Sequence, residues 1–362
     1  MIPVYRPFLG KKERDYVLAA VDSSWISSKG KFLDLFEAQF AKYLGARHGI
    51  GTCNGTTSLH LALVALGIGP GDEVIVPTFT YIASVNAIYY TGAKPVFVDS
   101  DSEYWNLDPN LIEKKITPKT RAIMVVHLYG HPADMDPIMR IARKHKLKVV
   151  EDAAESHGAE YKGKKVGPIG DIGSFSFFGN KVITTGEGGM VVTNNDKLAE
   201  KCRHLRGQGV SLTKTYWHDV VGFNYRMTNI TAAIGLAQLE KISETLRLKR
   251  NIAGEYIKKL KDVPHVKCQG EEGWAKNVFW MFSIIVSSAK RNKLMEFLKV
   301  NGIDTRPFFY PAHILPPYKE RKGNYPVAEF LGASGINLPS FPELNSKEIG
   351  FITKKIKEFF KG

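Results

Sequence analysis

The sequence predicts an α/β protein: a mostly parallel seven-stranded sheet covered by helices in a large domain, residues 1–240, followed by a smaller C-terminal α+β domain, residues 241–362. Three observations lead there. From residue 45 to 195, short β-branched runs alternate with stretches of helical apolar period, the pattern of strands joined by crossover helices. A long helical stretch runs from about residue 228 toward 260 and reads as the link between two domains; Ala232, Ala233, Gly235 and Ala237 allow close packing at its start. Beyond it, a strand at 278–286, a helix at 291–300 and a strand at 302–306 make a small α+β unit.

In chain order, the strands of the large sheet are expected at 48–53, 73–76, 95–98, 122–126, 148–151, 174–177 and 190–193, each a short run rich in β-branched or aromatic residues. The apolar run 59–68 is a core helix, too short to cross a bilayer, which takes roughly 20 residues. The last helix, 346–361, sets Ile349, Ile352, Ile356, Phe359 and Phe360 on one face and lysines on the other, as at a packed domain edge. Most strands end in polar residues or glycine. In sheets of this kind ligands gather at the carboxyl ends of the strands. The segments that follow them are Asn54-Gly55-Thr56-Thr57, residues 78–81, His127, Asp152 and Gly179-Asn180-Lys181, and they are expected to converge on one site.

Composition narrows the class. Of 362 residues 44% are hydrophobic and 24% charged, which excludes a disordered or low-complexity chain. The net charge of +14 would attract polyanions if concentrated, but the bases are scattered, crowding only at 144–148, 162–165 and 241–261 among apolar and acidic residues. No zinc-finger, homeodomain or RNA-recognition signature accompanies them, so a solvated basic surface or a small anionic substrate is expected rather than nucleic acid. Cys53, Cys202 and Cys268 are odd in number and far apart, forming neither a disulfide framework nor a zinc pair. With no signal-like or membrane-spanning run, a cytoplasmic protein without a membrane partner is expected.

Three segments carry candidate chemistry. Asn54-Gly55-Thr56-Thr57-Ser58, between a strand and a helix, can cradle a phosphate with amides and hydroxyls or can simply cap the helix. Asp152, closing the strand 148–151, can be a cap, a metal ligand or the counter-ion of a buried cationic ring; no ligand cluster accompanies it, so no metal is expected. Residues 173–192 read as an aromatic strand, Gly179-Asn180-Lys181, a glycine-rich turn and a returning strand. A lysine so placed is either a hairpin lysine at the surface or one held partly desolvated, where the neutral amine that attacks a carbonyl is favoured.

Together these segments resemble the fold-type I pyridoxal-phosphate aminotransferases, specifically the DegT/DnrJ/EryC1/StrS nucleotide-sugar aminotransferase family. The resemblance spans essentially the whole chain and rests on Asn54-Gly55-Thr56, Glu151-Asp152-Ala153-Ala154-Glu155, Ser174-Phe175-Ser176-Phe177 leading to Lys181 and Gly186-Glu187-Gly188-Gly189, and Gly222-Phe223-Asn224-Tyr225-Arg226-Met227-Thr228.

The resemblance implies pyridoxal 5′-phosphate as cofactor. Lys181 would bind it covalently and then shuttle protons, and Asp152 would keep its pyridine nitrogen protonated. Gly55, Thr56 and Ser176 would hold its phosphate, with Asn224 supplied by the neighbouring subunit of a homodimer with shared active sites. Tyr81 would lie against the ring and Glu155 near its hydroxyl, where many relatives carry glutamine. Arg226, Arg306 and His313 are candidates for the substrate pyrophosphate, and each reads equally as a structural arginine or a satisfied core histidine.

The implied reaction transfers an amino group from L-glutamate to C4 of a nucleotide-linked 4-keto-6-deoxy sugar, GDP-4-keto-6-deoxy-D-mannose first, with UDP- or dTDP-linked ketosugars as alternatives. Phe178-Gly179-Asn180-Lys181 departs from the Tyr-Pro-x-Lys of the family's 3-aminotransferases, which favours C4. The family's 3-dehydratases replace the lysine with histidine, and a silent regulatory protein on this fold would need neither Lys181 nor Asp152.

Overall fold

The computed structural model describes residues 1–211, 213–319 and 323–361. Two helices, α1 (Lys11–Asp22) and α2 (Lys31–Leu44), precede the first strand, β1 (His48–Thr52). There follow α3 (Gly55–Ala65), β2 (Glu73–Pro77), α4 (Ala83–Tyr90), β3 (Lys94–Val98), β4 (Thr120–Val126), α5 (Met135–His145) and β5 (Lys148–Asp152). A short hairpin, β6 (Glu160–Tyr161) and β7 (Lys164–Lys165), leads to β8 (Ile172–Ser176), β9 (Gly189–Thr193) and α6 (Asp196–Arg206).

The large sheet has seven strands in the order β1-β9-β8-β5-β4-β2-β3. All are parallel except β9, which runs against both neighbours. The exception has a local cause: β8 returns to β9 through a glycine-rich turn, whereas parallel neighbours need a longer crossover. The expected α/β class and the seven strands are therefore present, with ends shifted by a residue or two. Strands β8 and β9 are buried at every position, as befits a sheet covered on both faces.

Helix α3 opens behind an Asn54 cap whose Oδ1 accepts the Thr57 amide at 2.9 Å, and the Thr57 hydroxyl faces the Asn54 amide in return. It packs between the sheet and helices α4 and α6, so it is apolar nearly all round. At the end of β8 and just beyond it, the alternation Ser174-Phe175-Ser176-Phe177 sends the phenylalanines to one face. There Phe175 and Phe177 meet Phe40 edge-on at ring distances of 5.0 and 5.2 Å, contacts worth about 0.5–1.5 kcal/mol each beyond the area they bury. The serines then face α3, where Ser174 Oγ lies 3.5 Å from the Gly55 carbonyl.

The expected single linker helix is two, α7 (Asn229–Glu240) and α8 (Ile242–Leu260), because Lys241 leaves helical geometry with ψ near 11° and turns its ammonium to Glu13 at 2.7 Å. After them come β10 (Lys267–Cys268), β11 (Ala275–Lys276), β12 (Phe282–Ile285), α9 (Ser288–Val300), β13 (Arg306–Pro307), α10 (Pro326–Ser334), β14 (Gly335–Leu338) and α11 (Ser346–Lys361). A four-stranded sheet, β10-β12-β14-β13, lies with α8, α9 and α11 around a second apolar core, while β11 joins β6 and β7. The chain crosses between the two cores more than once. Phe308, Ala312, Ala328 and Leu331 pack into the larger one, whereas at the start of the chain Ile2 pairs with Ile303.

Candidate active site

A cavity of about 440 Å³ opens where the ends of β4, β5 and β8 meet the first turn of α3. Asn54, Gly55, Thr56, Tyr81, Asp152, Glu155, Ser176 and Lys181 all line it, so eight positions scattered over 128 residues of sequence meet in one cavity. The parallel register explains this. Asp152 ends β5 beside Val126 of β4 and Ser174 of β8, so the residues after each strand emerge side by side.

Asp152 is buried. Its Oδ2 accepts a 2.7 Å hydrogen bond from the Ser84 hydroxyl, and its Oδ1 accepts one of 3.2 Å from the Ala154 amide. Burial pushes its pKa up against these donors and the nearby Lys181 charge. Glu155, three residues on, accepts the Tyr129 amide at 2.8 Å and sets its other oxygen 3.7 Å from the Lys181 ammonium. Burial outweighs that cation and pushes the Glu155 carboxyl up to about 7.

Lys181 is held from three sides. Its amide donates to the Phe178 carbonyl at 2.9 Å, and its ammonium lies 3.9 Å from the centroid of the Trp280 ring as well as beside Glu155. Trp280 is fixed in turn by donating its indole N–H to the Asn180 carbonyl at 2.7 Å. Burial lowers the Lys181 pKa, with Glu155 and Asp152 opposing. The result is the partly desolvated lysine that the sequence suggested.

The helix end of the cavity exposes unpaired amides. Gly55 and Thr56 occupy the first turn of α3, whose leading amides have no acceptor within the helix. A Cβ on Gly55 would come within 2.6 Å of Ser176 Cβ, so only glycine lets the helix end approach the serine this closely. Tyr81, 56% exposed, stands at the mouth with its ring 5.5 Å from that of Phe309.

Other expected residues lie elsewhere. Asn224 and Arg226 do not line this cavity; the Arg226 guanidinium donates to Asn224 Oδ1 at 3.2 and 3.1 Å, and Asn224 bridges to Gly207. Arg306 donates to Asp304 at 2.7 Å and lines an adjoining cavity of about 400 Å³, which shares Thr80, Tyr81, Asn180, Trp280 and Phe309 with the first. His313 is not brought to either one. It is a buried histidine with both nitrogens engaged, at 2.7 Å to the Thr78 hydroxyl and 3.2 Å to Glu329, so this geometry corresponds to the core reading. His127 is likewise behind the wall: its Nδ1 accepts the Ala133 amide, so its Nε2 donates to Glu151 at 3.0 Å.

Sequence reasoning missed Trp280, Ser84 and Phe309. Trp280 lay inside an apolar run that reads as core strand, and Ser84 inside a helix; neither position carries a local signal of a site.

Among the described residues no group of His, Cys, Asp and Glu could hold a metal ion, and no helix is long and apolar enough to cross a membrane. A model of the DegT/DnrJ/EryC1/StrS aminotransferase family matches residues 7–357. The chain is 53% identical over 360 residues to a GDP-perosamine synthase of Escherichia coli O157:H7, covering 99% of this chain and 98% of that one. It is 52% identical to a GDP-perosamine synthase of Caulobacter vibrioides, over 96% and 95% of the two chains. Among solved structures, the putative sugar aminotransferase Spr1654 of Streptococcus pneumoniae, known in PLP and PMP forms, superposes with a TM-score of 0.95 at 27% identity, over 99% of this chain and 98% of that one.

Proposed function

The chain belongs to the DegT/DnrJ/EryC1/StrS aminotransferase family, and from that premise we propose that it is a pyridoxal-phosphate-dependent sugar-nucleotide 4-aminotransferase, converting GDP-4-keto-6-deoxy-D-mannose to GDP-perosamine with L-glutamate as amino donor. The observation that carries the chemistry is the convergence of Lys181, Asp152 and the α3 amino end on one cavity. The choice of sugar and nucleotide follows the two relatives named above.

The residues fit the cofactor group by group. A phosphate suits the α3 turn, where Gly55 makes room beside Ser176. A protonated pyridine nitrogen suits a buried carboxylate, and Asp152, held in place by Ser84 and Ala154, is one. An aldehyde suits an amine with a lowered pKa, and Lys181 is one. When bound, pyridoxal phosphate supplies an electron-withdrawing ring that stabilises negative charge on the carbon where the proton is exchanged, and a carbon that carries the amino group.

The protein's part is positioning and proton movement. Asp152, ionised opposite a cation, offsets the cost of its own burial and keeps that cation charged. Lys181, once its nitrogen is free, takes and returns a proton, and its lowered pKa leaves more of it neutral at working pH than an exposed lysine would be. Glu155 and Trp280 hold the lysine head between them, one able to exchange a proton near neutral pH and the other unable to. Tyr81 and Phe309 narrow the mouth. Arg306, in the adjoining cavity, is our candidate for the substrate pyrophosphate, and Asn224 of a partner subunit is our candidate to complete the phosphate site in a homodimer.

The test offers purified protein, pyridoxal phosphate and excess L-glutamate to GDP-, UDP- and dTDP-linked 4-keto-6-deoxy sugars. Expected from the GDP sugar are 2-oxoglutarate and a 4-amino-4,6-dideoxy sugar in equal amounts, with the C3 hydroxyl retained. Release of ammonia with a 3-deoxy sugar would replace this reading with the dehydratase.

A further inference from the structure

Apart from the catalytic cavity, a cleft of about 300 Å³ opens at the edge of the larger apolar core, beside Tyr43, Leu246 and Val278. Tyr43 of α2, Gly158, Lys165 of β7, Arg247 and Arg250 of α8, and Asn277 line it. Its charges do not balance. Lys276 pairs with Glu160 at 3.1 Å, and Arg250 with Glu271 at 2.8 Å. That leaves two cations: the Lys165 ammonium, which only lies over the Tyr43 ring at 4.8 Å, and the Arg247 guanidinium, which has no partner among the described contacts.

Two further polar groups of the wall, on Asn277 and Tyr43, are donors without an acceptor among the described contacts. Asn277 is fully buried; its Oδ1 accepts the Phe279 amide at 2.7 Å, while its Nδ2 donates to nothing. A buried amide left unpaired costs free energy. The Tyr43 hydroxyl, set against the Gly158 turn, has no acceptor among the described contacts either. The wall's one carboxylate, Glu160, is already engaged by Lys276.

We propose that this cleft is a binding site for a phosphate dianion, distinct from the cofactor and substrate sites. Two uncompensated cations match its two charges, and a guanidinium fork, an ammonium and a phenol O–H supply the donors that its oxygens need. Bound there, the anion ties Lys165 of β7 to Arg247 of α8.

The experiment uses the cofactor-saturated enzyme in chloride medium of constant ionic strength, titrated with inorganic phosphate by calorimetry, with sulfate as a second dianion. Holding the cofactor site filled keeps its own phosphate pocket out of the measurement. Binding of one phosphate or sulfate per chain is expected, weakened about tenfold or more in Arg247→Gln or in Lys165→Met and restored by Lys165→Arg. Neither substituted residue touches the catalytic cavity, so transaminase turnover without added phosphate should be unchanged and shows the variants to be folded. An isotherm altered less than this in both variants, or absent in the parent, overturns the proposal, as does an equal response to added chloride.

Discussion

Asp152 and Glu155 lie three residues apart, both buried, yet they are held for different work. Asp152 takes its hydrogen bonds from Ser84 and Ala154, which favour the ion. Replacing it with asparagine keeps the shape and removes the charge that burial penalises. The Asp152→Asn protein should therefore melt no lower than the parent while losing activity by about a hundredfold or more, the scale on which a fixed electrostatic partner acts. Parent-like turnover with a lowered melting point would reduce Asp152 to a cap. For Glu155 the folded pKa of about 7 stands above the ordinary 4.5, so between those pH values the folded state binds more protons than the unfolded. Stability contributed by the protonated carboxyl is present below pH 4.5 and lost as pH rises through 7. In the cofactor-free protein, Glu155→Gln should match the parent at the acid end of that window and melt above it at pH 7 and beyond; parallel curves would show no such proton. Glu155 was named only through the family resemblance, whereas Asp152 stood out in the sequence because it closes a strand. Trp280 did not, because a tryptophan that caps a lysine and one that fills a core look alike until chain separated by 99 residues is brought together.

At the scale of elements, β2, β4 and β5 were legible because each is a largely β-branched run buried at most positions, so burial and propensity agree. The small sheet was less so. Its β14, Gly335–Leu338, opens on a glycine and is only four residues long, and β13 pairs over just Arg306 and Pro307, so their pairing is set by tertiary contacts rather than by pattern. The break at Lys241 was hidden for a related reason: the residues around it are good helix formers, and what stops the helix there is a local turn and an ion pair to α1. The joint between α3 and β8 was half-visible, with Gly55 read as a phosphate cradle and not as a contact. The structure makes it both. Gly55→Ala would drive a methyl group into Ser176 at 2.6 Å, displacing the helix end or the strand. We expect a loss of about 1–3 kcal/mol in stability from the overpacking, together with at least severalfold weaker retention of pyridoxal phosphate, read by fluorescence titration. A variant that is destabilised but holds the cofactor as tightly as the parent would leave Gly55 a packing residue only.

Over the whole molecule, the proposed shared site turns on the segment carrying Asn224 and Arg226. Those residues sit on the stretch between α6 and α7, outside their own chain's cavity. The same stretch leaves Tyr216 92% and Val221 91% exposed, with Trp217 half-exposed beside them. Large apolar side chains grouped on one polar-rimmed segment suit a surface that another subunit covers. In a symmetric dimer this segment would reach the neighbour's α3 turn while the neighbour's reaches back, so each site would take its lysine from one chain and its asparagine from the other. The arrangement makes a prediction that an unshared site cannot meet. Lys181→Ala lacks the amine and Asn224→Ala lacks the phosphate ligand, so each homodimer is inactive or nearly so. Unfolding and refolding an equal mixture gives hybrids in which one site pairs the intact Lys181 of one chain with the intact Asn224 of the other, while the second site carries both defects. With random pairing half of the dimers are hybrids, and activity should recover to about a quarter of the parent level. If both residues served the same chain's site, every site in the mixture would keep one defect, and verified subunit exchange would restore nothing.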